Sequence, residues 1–214
     1  MKNQLVVLVI LFLLQTNETN AQGTTFISNI GLPSTGSMAV GSNSWLGLRF
    51  FTGTNSGGYL FQSIQLSVSG ATGNPHDFAV AVRDYENRLP GASLQPLTGP
   101  DPFGGGVFTY TSSGFNLSPS TAYFIVVSSS TSTAVGAFNV NVAANSDYVA
   151  PDGWQLGPYS VVSGNGSLWQ PGGSLFQLAL DATSVPEPAP LTLFGFAGLL
   201  FGANFWYRRI FSSE

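Results

Sequence analysis

Apolar and polar residues take turns along the middle of this chain, and that two-residue beat limits the fold more than any other feature. Ile64, Leu66 and Val68 alternate with Ser63, Gln65 and Ser67. In a β-strand such a period sends one set of side chains to a core and the other to solvent. The beat returns in Phe78, Val80 and Val82, in Phe138, Val140 and Val142, and in Phe176, Leu178 and Leu180. Residues 123–127 are apolar without alternation, which predicts a central strand covered on both faces. Residues 45–52 and 107–111 read as further strands. Between these runs sit Asn55-Ser56-Gly57-Gly58, a Gly70-to-Pro75 segment, Leu89-Pro90-Gly91 and Gly104-Gly105-Gly106. Each offers the positive φ or the fixed proline φ that a turn needs. The middle carries no helical period. The expected fold is therefore all-β: an antiparallel two-sheet sandwich, jelly-roll-like or immunoglobulin-like, over residues 23–184.

Composition narrows the setting of that sandwich. Only 7% of residues are charged, against the usual quarter. Aromatic residues make up 13%, so the chain has the apolar content to build a core and does not read as disordered. The formal net charge is -4 and Lys2 is the only lysine. A chain without a basic patch has no footprint for phosphate backbones, so no nucleic acid partner is expected. With no cysteine there is no disulfide, no thiol nucleophile and no thiolate metal site.

Both ends carry their own signals. Met1-Lys2, an apolar stretch at residues 5–14 and a polar tail with small residues at 15–23 form a secretory signal peptide, here residues 1–22. Its removal calls for a signal peptidase. At the other end, Val185-Pro186-Glu187-Pro188-Ala189-Pro190 opens residues 185–214. Prolines lack an N–H and fix φ, so the hexapeptide reads as an extended linker. The uncharged run of residues 191–207 follows, long enough for about 25 Å of helix, which suits one C-terminal transmembrane helix. Arg208-Arg209 then stops it and holds that end in the cytoplasm.

In this order, Pro186-Glu187-Pro188, the apolar run and Arg208-Arg209 resemble the PEP-CTERM sorting signal of Gram-negative bacteria. The resemblance implies processing by the membrane peptidase exosortase, with a transient stay in the inner membrane before delivery to the cell envelope or extracellular surface. The middle is similar to choice-of-anchor R domains. That likeness rests on Asn29-Ile30-Gly31, Phe50-Phe51-Thr52-Gly53, Pro90-Gly91-Ala92-Ser93-Leu94 and the Leu117-x-Pro119-x-Thr121-x-Tyr123 spacing. It implies surface display of a β-domain and no particular chemistry. The last spacing also resembles the tyrosine corner of fibronectin type III domains, in which a tyrosine hydroxyl turns back to upstream backbone.

Catalytic constellations are sparse, and the chain is read as a non-enzyme with no cofactor. His76 is the single histidine, placed in a turn before a strand, with Asp77 expected on the opposite face. The carboxylates Asp84 and Glu86 flank Tyr85 beside Arg83 and Arg88, and they read as a solvated charged turn. A calcium site from Asp84, Glu86 or Asp101 has no supporting spacing. Two function classes remain. One is a structural or interaction protein of the cell surface or extracellular matrix, of the kind found in biofilms. The other is a module that binds extracellular polysaccharide through exposed aromatic rings. Its candidate residues are Trp154, placed in an apparent loop between Gly153 and Gly157-Pro158, together with Trp45 and Trp169.

Overall fold

The alternating rows become the facing walls of two antiparallel sheets. The computed structural model describes residues 23–143, 148–151 and 153–187, and all of its regular structure is β, with no helix among the described residues. The strands are β1 Thr24–Ser28, β2 Ser34–Val40, β3 Trp45–Phe51, β4 Tyr59–Gly73, β5 Ala79–Glu86, β6 Leu89–Leu97 and β7 Gly106–Leu117. They continue with β8 Ala122–Ser128, β9 Gly136–Ala143, β10 Gln155–Ser163, β11 Trp169–Pro171, β12 Leu175–Phe176 and β13 Leu178–Ser184. One sheet runs β11-β10-β3-β8-β5-β6; the other runs β1-β13-β4-β9-β12, with β7 on β4 and β2 on β9. The signal peptide, the apolar tail, Pro188, Arg208 and Arg209 lie outside the described residues. Among those described, no helix is long and apolar enough to cross a membrane.

Each alternating row points where its period requires. Ile64, Leu66, Val68, Val80, Val82, Phe138, Val140, Phe176, Leu178 and Leu180 are all buried in one core between the sheets. Strand β8 lies between β3 and β5 and is buried from Tyr123 through Val127, as a strand covered on both faces must be. Its inward residues join the central core. Its outward residues Phe124 and Val126 join a second cluster with Val161 and Trp169, against which Trp45 and Tyr85 pack.

The seven-stranded sheet forks at Gln177. Below it β12 pairs with β9, and above it β13 pairs with β4. Gln177 itself donates its backbone N–H to Asn141 and accepts one from Ser67, so it spans the gap between β9 and β4. Asn29 sits buried beside this fork. Its side-chain amide donates to Phe176 O at 3.2 Å, and its carbonyl accepts from Leu178 N at 2.6 Å. A side chain here satisfies two backbone groups that the fork leaves without strand partners.

At the start of β8 the corner spacing closes as its sequence suggests. Ser118 N donates to the Tyr123 hydroxyl at 3.0 Å, and Leu117 is buried beneath it. Two turns differ from their sequence readings. Residues 70–73 are the paired end of β4, where a register shift takes up the Gly70 φ of 127°, and only Asn74 and Pro75 lie beyond the strand. Leu89-Pro90-Gly91 is not a turn but the beginning of β6. The reversal is made instead by Asn87 and Arg88, with φ of 51° and 72°. Proline is tolerated in β6 because β6 is an edge strand, where no ladder hydrogen bond is lost.

Candidate functional site

The last strand delivers the tail onto the surface of the domain. β13 ends at Ser184, and the next three residues rest against the Asn55-Ser56-Gly57-Gly58 turn that precedes β4. Val185 N donates to Gly58 O at 3.0 Å. Asn55 Nδ2 donates to Val185 O at 2.9 Å and to Gly58 O at 2.6 Å. The Ser56 hydroxyl donates to the Glu187 carboxylate. A methyl group at Gly57 would collide with the Val185 carbonyl oxygen, so only glycine lets the two segments come this close. Pro186 and Glu187 are exposed, and of the sorting residues they are the two the structure describes.

The tryptophans stand elsewhere than the sugar-binding reading needs. Trp154 is 2% exposed, stacked on Phe26 at 4.8 Å and met edge-on by Tyr59 at 4.8 Å. Trp154 does lie in the loop before β10, where its backbone N–H donates to Pro151 O, but the ring is turned into the core and not to solvent. Gly157-Pro158 lies inside β10, where the β10–β3 register shifts between Leu156 and Ser160 and so absorbs the proline. Trp169 is also buried, in the outer cluster on β8. Trp45 is half-buried, its ring in contact with the turn at Gly166 and with the Arg83 guanidinium 5.3 Å from its centroid. Trp154 and Trp169, being buried, offer no open ring face for a sugar, and Trp45 carries the Arg83 guanidinium on its ring.

His76, Asp77 and Ser130 do meet. Asp77 precedes β5 with a φ of 57°, so its side chain turns to the same side as His76 rather than the opposite one. Ser130 Oγ donates to Asp77 Oδ2 at 2.8 Å and lies 2.9 Å from His76 Nδ1, which is itself 3.1 Å from Asp77 Oδ2. These bonds, Ser130 first and His76 second, hold the Asp77 carboxyl below its ordinary range. A nucleophilic triad needs serine on one imidazole nitrogen and the carboxylate on the other. Here Ser130 and Asp77 both lie on Nδ1, so the two-nitrogen relay of such a triad is not built. The cluster is a surface tie between the turn before β5 and the loop after β8. It is joined there by Asp101, whose carboxylate accepts from Asp77 N and Phe78 N.

Asp84 and Glu86 are exposed on the β5–β6 hairpin, and Asp84 accepts from Tyr85 N at 2.8 Å. Arg83 does not pair with them. It turns to Trp45 and donates to Gly91 O at 3.4 Å, and burial pushes its guanidinium below the ordinary value. Among the described residues no group of three or more His, Cys, Asp or Glu is placed to hold a metal ion.

One open concavity, about 500 Å3, lies where the β2–β3 and β10–β11 turns meet. Asn43, Ser44, Asn165, Gln170 and the exposed Leu168 line it, and no lining residue is charged. Asn43 and Asn165 use their side-chain carbonyls to accept from Thr133 N and Ser167 N. Sequence reading passed over this site because its residues come from two turns with no shared motif. The tail-binding role of Asn55–Gly58 was hidden too, since only its turn chemistry is legible locally.

In comparisons with known proteins, no family model, no curated protein and no solved structure matches the chain.

Proposed function

We propose that this chain is a structural or interaction protein of the cell surface or extracellular matrix of a Gram-negative bacterium. It is exported through its N-terminal signal and sorted by an exosortase through the Pro186-Glu187-Pro188 tag. One observation carries the reading: β13, the last strand among the described residues, ends at Ser184, and Pro186 and Glu187 of the tag follow it exposed at the surface. A cut after this point leaves the pairing of β13 intact. On this reading a jelly-roll-like or immunoglobulin-like sandwich is held for a time at the inner membrane by one C-terminal transmembrane helix. Arg208 and Arg209 mark its cytoplasmic end, and the chain carries out no catalysis. Intact mass of the protein from a native host tests it. The expected species begins near residues 22–24 and ends near residues 186–188. A dominant species that retains Arg208 and Arg209 overturns the processing.

A second role, contact with extracellular polysaccharide, draws support from the uncharged concavity rather than from the tryptophans. A lining of amide and hydroxyl side chains suits hydroxyl-rich polymers, and attraction without ion pairs is insensitive to salt. Retention of the protein on host polysaccharide is expected to persist at high salt and to fall in Gln170→Ala. Retention unaffected by that change places the contact elsewhere.

A further inference from the structure

We infer that the Asn55–Gly58 turn is a cradle that withholds the sorting tag, so that the peptidase acts only on the segment released from it. This inference rests on the processing read above and adds its regulation.

Peptide recognition in extended form uses the backbone N–H and C=O groups of the bound segment. At Val185 both are already taken, by Gly58 O and by Asn55 Nδ2. The acidic side chain of the tag is taken as well, by Ser56 Oγ. The cradle is built rather than incidental. At position 57 only glycine permits the approach of Val185 and Pro186. Gly58, at a φ of 76°, lies against the Leu117 carbonyl, where an added methyl carbon would come within 2.6 Å. Asn55 N donates to the hydroxyl of Tyr59, itself a core residue. The turn is thus anchored to the core from beneath, and its upper side is shaped to residues 185–187.

Reach sharpens the point. Residues 188–190 alone separate the docked Glu187 from the apolar run at Leu191, and three extended residues span roughly 10 Å. A docked domain therefore stands close over the bilayer. Releasing residues 185–187 doubles the tether to roughly 20 Å and frees the backbone groups that a peptidase must grip. The contacts are few and near the surface, so this segment can detach while β13 stays paired.

The test follows full-length protein in its native host by pulse-chase, comparing Ser56→Ala and Gly57→Ala with the parent. Loss of one charge-assisted hydrogen bond should speed tag removal by about fivefold in Ser56→Ala, with a larger gain in Gly57→Ala. Backbone amide exchange at Val185 in the uncut protein is expected to accelerate in the same order. Parent protein cut normally, with Ser56→Ala cut at the same rate or more slowly, overturns the cradle. So does exchange at Val185 that is as fast in the parent as in a free peptide. A parent tail that is never cut instead defeats the processing reading, which keeps the two failures apart. Ser56→Ala removes only a surface hydroxyl, so its result stands even if Gly57→Ala folds poorly.

Discussion

Inside the sandwich, Leu46, Leu48 and Phe50 of β3 meet the apolar wall of the facing sheet. On the other side of the same strand, Trp45, Gly47 and Arg49 have no sheet to face. The two sides are closed by different means. Within, two sheets bury side chains against one another, and alternation suffices. Outside, the β5–β6 hairpin bends over β8, so that Tyr85 stacks on Phe124 at 6.1 Å and Pro90 comes down above Gly47. Guanidinium groups finish the cover, Arg83 over Trp45 at 5.3 Å and Arg49 over Tyr85 at 5.7 Å. The outer cluster is small, four buried residues against the many of the central core, while unpartnered indole nitrogens occur on both sides, at Trp169 without and Trp154 within. The smaller buried apolar area of the outer cluster contributes less net stability than the central core.

That contrast can be broken by mutation. Trp154→Ala empties a site enclosed by three aromatic rings, and an unfolding free energy lower by about 4 kcal/mol is expected from denaturant titration. A loss under about 1 kcal/mol would mean that the core collapses around the gap. Trp169→Ala in the outer cluster should cost less, about 2 kcal/mol, because its ring lies at the edge of a small cluster and is 9% exposed against 2% for Trp154. Equal losses would erase the distinction between the two sides. The smallest effect runs the other way. Arg88 holds a φ of 72° in the hairpin that covers the outer cluster. Arg88→Gly should relieve it and raise stability by about 1 kcal/mol, read as a higher denaturant midpoint. No gain would show that this hairpin does not limit the outer cover.

The inner side was legible in the sequence and the outer side was not. Burial on one face forces a period of two, so the row from Ile64 to Val68 announced its own orientation. The unbroken apolar run of β8 announced two covered faces, but nothing local said what covers the second. Trp154 misled because a loop position does not say which way a ring turns, and this one turns inward among Phe26, Phe50 and Tyr59. The β5–β6 reversal misled in the same way. Its positive φ angles fall on Asn87 and Arg88, while the stronger punctuation of Pro90-Gly91 lies in an edge strand. Long-range partners leave no local trace. Ser130 joins Asp77 across 53 positions, and Ser56 joins Glu187 across 131.

Strand β13 has a consequence in time. It lies between β1 and β4, and Thr25 of β1 meets Asp181 of β13 across 156 positions of chain. Among the described strands the first therefore waits for the last, and the sheet cannot complete until β13 has been delivered. Pairings this distant in sequence must close very large loops, which makes folding slow. Until β13 arrives, the exposed rims of β1 and β4 are open to strands of other molecules, so the hazard of misassembly lasts until β13 pairs.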